Sequence, residues 1–225
     1  LSGGNGAEGI AFVPNTHLRA MGFVDPAGSP REGVRGMGGL MFVGHQNGGR
    51  IYAFDLDPNS NAFTFVGAYR TADTETSELF FDRSTGILYA WHGNSNRLEA
   101  MSPASTPIGA ERRFVTLGLF SAPPGTPGNA NIEGLAIADN ADAVGGRRSL
   151  FMTIDGGGAT SLLWFRSFPT VCRADVNRSG TLSVQDIFEY LALYFLNAPS
   201  ADFNFSGDVT GQDLLDFLAA FFSPC

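Results

Sequence analysis

The chain of 225 residues contains no lysine: all 14 basic residues are arginine, set against 22 acidic ones, for a formal net charge of −8. An acidic chain without a basic stripe has no electrostatic attraction to a phosphate backbone or an anionic lipid surface, so nucleic acid is not an expected partner. No uninterrupted apolar run approaches the roughly 18 to 20 residues that cross a bilayer. A membrane-spanning helix is therefore not expected. There is no G-x-S-x-G elbow and no H-E-x-x-H pair. The "DGGG" at Asp155 is followed by neither a lysine nor a helix start, which makes it a flexible turn rather than a phosphate loop. The opening "LSGGNGAEGI" carries neither an initiator methionine nor a charged-then-apolar leader. The expectation is a processed chain or a fragment.

What is abundant points to strands. The chain is 44% hydrophobic, with 29 Gly, 20 Phe and 12 Pro, and its short apolar runs are separated by Gly, Asn, Asp and Ser. This composition predicts many short strands joined by turns, in one large domain or one medium domain plus a small module.

Three stretches align with one another, beginning "AEGIAFVP" (Glu8), "SELFFDRSTG" (Glu78) and "IEGLAIADN" (Glu133). A second apolar segment follows each ("LMFVGHQN", "ILYAWHGN", "LFMTIDGG"), and then a third ("RIYAFDL", "RLEAMS", "LLWFRS"). "FTFVGAY" and "FVTLGLF" supply fourth strands for the first two units; the third has none. The offsets of 70 and 55 residues suit four-stranded propeller blades, with a loop-like insertion, "NTHLRAMGFVDPAGSPREGVRGMGG", in the first. The expected fold is mainly β, a partial β-propeller of about three blades over residues 1–168, truncated at its N-terminus. A β-sandwich whose strands look alike is the alternative. The pattern "EGIAF…LMFVGHQNGGRIYAFDLDP" resembles six-bladed propellers of the phytase-like and SdiA-regulated type, over about three-quarters of the chain.

The C-terminal quarter carries one twelve-residue pattern twice, "DVNRSGTLSVQD" from Asp175 and "DFNFSGDVTGQD" from Asp202, 27 residues apart. Ca²⁺ takes six to eight oxygen ligands, and a twelve-residue loop supplies them from positions 1, 3, 5, 7, 9 and 12 around a glycine at position 6. In the first loop these are Asp175, Asn177, Ser179, the carbonyl of Thr181, Ser183 and Asp186, with Gly180 at the turn. In the second they are Asp202, Asn204, Ser206, the carbonyl of Asp208, Thr210 and Asp213, with Gly207 at the turn. Two Ca²⁺ ions are expected. With Asp at position 12 and Ser at position 5, each loop has only two carboxylates among its side-chain ligand positions, which predicts weak, extracellular-range affinity. Leu182 and Val209, at position 8, are expected to let the loops pack together. Pro169 argues against a helix entering the first loop. A helix is predicted to leave each, because "DIFEYLALYFL" places Ile187, Tyr190, Leu191 and Tyr194 at helical spacing and "DLLDFLAAFF" does the same with Leu214, Phe217, Leu218 and Phe221.

This duplicated loop–helix unit resembles the dockerin module, from Cys172 to Cys225. The resemblance implies a small C-terminal α module over residues 172–225, in which two calcium loops order two near-antiparallel helices that dock onto a cohesin-like or cell-surface protein. The family's recognition positions fall on Val184 and Gln185 and on Gly211 and Gln212, where the Ser/Thr pair of the cellulosomal type is absent. The form "C-x-A-D-V-N…SPC" is closer to dockerin-like anchors of high-GC bacteria. Cys172 and Cys225, the only cysteines, bracket the module, and a bridge between them would form outside the reducing cytosol; two free buried thiols are the other reading. The expected setting is extracellular or cell-surface, with a possible polysaccharide context.

Catalytic candidates are fewer. In a propeller, Glu8, Glu78 and Glu133 could converge on the channel and hold a metal, as in calcium-dependent phytase-like enzymes, or each could cap a strand or pair with an arginine. His45 and His92, in "GHQN" and "WHGN", could serve as general base or ligand, or as hydrogen-bonded turn residues. The leading expectation is calcium-dependent docking by the C-terminal residues; a phytase-like or esterase-like hydrolase tethered by them is the alternative.

Overall fold

Alternation of apolar and polar residues decides the main body. A computed structural model of the chain describes residues 6–127, 131–155, 161–169 and 172–223. Strands β1 (Ala7–Pro14), β2 (Gly39–His45), β3 (Arg50–Leu56) and β4 (Phe63–Arg70) form an antiparallel meander. In β3, "RIYAFDL", the side chains of Ile51, Ala53 and Asp55 are buried while their neighbours are half-buried, the period of two expected of a strand with one covered face. A second meander follows: β5 (Glu78–Asp82), β6 (Ile87–His92), β7 (Arg97–Ile108) and β8 (Glu111–Ser121).

The two meanders are not separate. β4 and β8 pair in parallel at Tyr69–Arg112 and Arg70–Arg113, giving one eight-stranded sheet in the order β1-β2-β3-β4-β8-β7-β6-β5. Glu111 lies at this seam and binds Arg50 at 2.8 Å and Arg70. The sheet also curls until its first and last strands are close. At Gly9 of β1 an added Cβ would lie 2.5 Å from the Leu79 nitrogen and 2.8 Å from the Glu78 Cα, so only glycine permits this approach. The expected partial propeller of about three blades is thereby corrected: its first two units are a single, nearly closed sheet. The third unit is a three-stranded antiparallel sheet of β9 (Ile132–Ile137), β10 (Arg147–Ile154) and β11 (Leu162–Pro169).

Two cores result. The first fills the curled sheet with Val13, Leu18, Phe23, Leu40, Phe42, Ile51, Tyr69, Leu88 and Phe114. The second joins β5–β8 to the three-stranded sheet through Tyr89, Trp91, Leu98, Ile137, Leu150, Met152 and Phe168. β6 serves both, which is why all six of its residues are buried: Leu88 and Ala90 face one core, Ile87, Tyr89 and Trp91 the other. Each large apolar side chain so enclosed contributes about 1.5–3 kcal/mol. Within the second interface Arg148, fully enclosed, pairs with Asp82 and donates to the Tyr89 hydroxyl at 3.2 Å.

The stretch expected to be a loop insertion contains a short helix, α1 (Asn15–Ala20), which buries His17, Leu18 and Ala20. Residues 172–223 carry α2 (Val184–Phe195) and α3 (Gly211–Phe221) around a third cluster of Ala174, Tyr190, Ala201, Phe203 and Phe217. The expectation of a separate C-terminal α module of two calcium loop–helix units is also corrected. These residues rest on the β body: Arg19 of α1 donates to the Gly207 carbonyl at 3.0 Å, and the rings of His17 and Phe205 stack at 4.0 Å. Among the described residues no helix is long and apolar enough to cross a membrane.

Candidate functional site

The twelve-residue loops repeat one hydrogen-bond pattern. In the first, Asp175 accepts the Ser179 amide on Oδ1 (2.9 Å) and the Gly180 amide on Oδ2 (2.7 Å). Ser179 N–H is shared with Asn177 Oδ1 at 2.9 Å, and the Ser179 hydroxyl donates to the Thr181 carbonyl at 3.0 Å. In the second loop Asp202 accepts from Ser206 (2.9 Å) and Gly207 (2.8 Å), Ser206 N–H also reaches Asn204 Oδ1 (3.0 Å), and the Ser206 hydroxyl donates to the Asp208 carbonyl (3.2 Å). Positions 4 and 6 are left-handed in both: Arg178 and Gly180 at φ of 57° and 84°, Phe205 and Gly207 at 59° and 107°. The sixth-position glycine is needed for that turn.

The far end of each loop is also the start of its helix. Ser183 caps α2 and Asp186 is its third residue; the Asp186 carboxylate accepts from the Ser183 amide at 2.9 Å, the Ser183 hydroxyl at 3.2 Å and, across the loop, the Asn177 amide at 3.2 Å. Thr210, Asp213 and Asn204 repeat this with 2.8, 3.0 and 3.1 Å. The twelve predicted ligand residues are thus gathered into two hydrogen-bonded rings, six to a ring.

Electrostatics distinguish the last position. Asp186 and Asp213 are wholly buried, and among the described residues no arginine lies within ion-pair distance of either. Burial is the largest influence on each carboxyl and acts to raise its pKa; the amides and hydroxyl of the loop outweigh it together and hold both below the ordinary carboxylate value. The loop amides and hydroxyl therefore keep an anion at each site, and Arg173 adds its charge near Asp213. The donors are carboxylate, amide, hydroxyl and carbonyl oxygens, with no sulfur or imidazole, a set that fits a hard cation such as Ca²⁺. Among the described residues no three His, Cys, Asp or Glu gather into a metal-holding group.

The helices leave the loops where the spacing predicts, each starting two residues before the expected aspartate because Ser183 and Thr210 cap them. Leu182 and Val209 both pack on the third cluster. Val184 is 62% exposed, and Gln185, Gly211 and Gln212 are exposed as well. Two acidic residues escaped the sequence reading: Glu189 and Asp216, at equivalent places, receive the Gln185 (3.0 Å) and Gln212 (2.8 Å) amides, and Asp216 also holds the Asn204 amide at 3.0 Å. An oxygen side chain one turn into each exit helix was the available signal. Cys225 lies outside the described residues, and so does the expected bridge to Cys172; the glycines of "DGGG" lie outside them too.

A second acidic group lies on the β body. Glu8, Glu78 and Glu133 open or begin β1, β5 and β9, and their carboxyls are near enough to act on one another. Burial first, and then the charges of Glu133 and Glu8, raise Glu78 to about 7. Burial and Glu133 also raise Glu8. None of the three forms an ion pair with an arginine among the described residues. The histidines part company. His92 is fully buried, its Nε2 3.0 Å from Glu99 and its Nδ1 on the Glu75 carbonyl, whereas His45 contacts the Asn47 carbonyl through Nδ1 and leaves Nε2 without a partner.

Comparison with protein-family models and with curated proteins finds no match.

Proposed function

We propose that residues 172–223 bind two Ca²⁺ ions, one in each twelve-residue loop, and that the helices so ordered dock onto a protein partner of the cohesin-like or cell-surface kind, outside the cell. The observation that carries this reading is the same hydrogen-bonded ring of oxygen donors built twice, each closed by a buried aspartate that makes no ion pair among the described residues. Chelating oxygens of low total charge suit the millimolar calcium of extracellular fluid. The resemblance of the two loops to those of dockerins supports the same reading, as does the placing of the only two cysteines at the edges of this segment.

A docking role is supported by exposed apolar residues that repeat with the loops. Phe188 and Leu215 are equivalent and 61% and 60% exposed; Phe195 and Phe222 are equivalent and 78% and 77% exposed. Apolar side chains this exposed, in matched pairs on two adjacent helices, suit a partner surface. The test is binding of cohesin domains to the full chain with calcium and with chelator. Calcium-dependent binding that Phe188→Asp with Leu215→Asp abolishes, while the calcium count stays at two, is the expected result; binding that ignores both changes would remove the docking role.

A second reading, a calcium-dependent hydrolase of the phytase-like or esterase-like kind, is favoured by one observation: Glu78, held near neutrality beside Glu8 and Glu133, has the pKa of a working acid or base. Turnover of a phosphate or carboxylate ester that disappears in Glu78→Gln, with the fold intact, would support it; no turnover across such esters would leave the docking reading alone.

A further inference from the structure

The two loops differ at position 4. There the first loop carries Arg178, which is exposed, and the second carries Phe205, which is not. The Phe205 ring stacks on His17 of α1 with 4.0 Å between centroids and 23° between planes, and the Arg173 guanidinium lies 4.1 Å from its centre. Gly86, in the turn between β5 and β6 at φ 71°, makes room for it: a Cβ there would stand 2.9 Å from the tip of the phenyl ring. His17 is itself fixed, through Nε2 to the Arg83 carbonyl at 2.9 Å and edge-on to Phe81.

Position 6 is tied down as well. The Gly207 carbonyl accepts from Arg19 Nη1 at 3.0 Å, while the other two nitrogens of that guanidinium are held by both oxygens of Glu32, at 3.0 and 2.9 Å. Positions 4 and 6 alternate with the oxygen donors at 3, 5 and 7, namely Asn204, Ser206 and the Asp208 carbonyl. The residues that would hold an ion therefore cannot rearrange without moving those that grip the β body. Among the described residues no hydrogen bond or ring contact of this kind ties the first loop to α1.

We infer that the second loop is a calcium-dependent latch, through which an ion held by Asp202, Asn204, Ser206 and Asp213 fastens residues 172–223 to α1 and the β5–β6 turn. The inference rests on the calcium reading above. By linkage, whatever factor the ion adds to docking of the loop, docking returns to the affinity for the ion. Docking thus raises the second loop's affinity for its ion above what the undocked loop would show.

The test is hydrogen exchange on the full chain in chelator and in saturating Ca²⁺, alongside calorimetric counting of ions. Exchange in residues 15–23 and 83–86 is expected to slow by roughly tenfold or more on adding calcium. Asp175→Asn should keep this response and Asp202→Asn should lose it. Phe205→Ala leaves every ligand in place, so it should still take two ions, bind the second more weakly, and show no slowing in α1. Two ions bound with unchanged exchange in α1 and the β5–β6 turn would overturn the latch and leave calcium binding standing. Loss of the response in Asp175→Asn would overturn its assignment to the second loop, and no ion bound by the unaltered chain would overturn both the latch and the calcium reading.

Discussion

The rings of Tyr190 and Phe217 lie parallel, 4.0 Å apart at their centroids and 6° apart in plane. Each stands fifteen residues after the first aspartate of its loop. The two repeats therefore meet through equivalent residues, with Phe203 edge-on to both at 5.9 and 5.7 Å. A twelve-residue loop has too little apolar surface to fold by itself; this shared aromatic centre is what joins the two loop–helix repeats.

Removing one ring should expose that dependence. Phe217→Ala is expected to cost about 3–5 kcal/mol, seen as loss of helical circular dichroism at temperatures where the β signal remains. Tyr190→Phe keeps the stack and loses only the hydroxyl's bond to the Ala201 carbonyl, 3.0 Å long, so a cost of about 1 kcal/mol is expected. Equal effects from both changes would argue against stacking as the main contribution.

The capping role of Asp186 can be separated from its proposed role as a calcium ligand. Asp186→Asn should cost about 1–3 kcal/mol in chelator, where it weakens the helix cap and the cross-loop bond from the Asn177 amide. In calcium at a hundred times its dissociation constant, the unaltered site gains about 2.7 kcal/mol that the variant forgoes. Thermal melts of both proteins in both conditions measure the difference; a penalty that is the same with and without calcium would assign Asp186 to capping alone.

Glu78 makes the stability of the β body depend on pH. Its folded pKa of about 7 stands above the ordinary 4.5, so the folded chain holds a proton that the unfolded chain has released. Stability therefore falls as pH rises from 4.5 through 7. Glu78→Gln should flatten that slope and stabilise the protein at pH 8 by on the order of 1 kcal/mol. Melting curves between pH 4.5 and 8 check it, and an unchanged slope would place the proton elsewhere.

Arg148 and Asp82 test how the three-stranded sheet is attached. Arg148→Met strands the buried Asp82 carboxylate and should cost about 3–5 kcal/mol. Adding Asp82→Asn removes the stranded charge and should recover part of that loss by chemical denaturation. If the double variant is as unstable as the single one, packing rather than charge holds this interface.

Much of this was legible in the residues and some was not. Both exit helices could be read because Ile187, Tyr190, Leu191 and Tyr194, like Leu214, Phe217, Leu218 and Phe221, recur at helical spacing; the loops could be read because their chemistry depends on residue type at fixed positions. Strand alternation in "RIYAFDL" was equally plain. The seam between β4 and β8 was not, since only two residue pairs make it and Arg50, Arg70 and Glu111 come together from distant parts of the chain. Three aligned units therefore read as separate blades, although two of them share one sheet. α1 is six residues long, too short for a periodic signal. The anchoring of Phe205 depends on His17 and Gly86, and nothing near Phe205 in sequence announces either.

The central claim is that two oxygen rings each hold one Ca²⁺ ion. Calorimetric titration of the chelator-stripped full chain tests it most directly, with Asp175→Asn and Asp202→Asn measured beside it. Two ions for the unaltered chain and one for each variant is the predicted result. No binding, or binding that neither substitution alters, would contradict it.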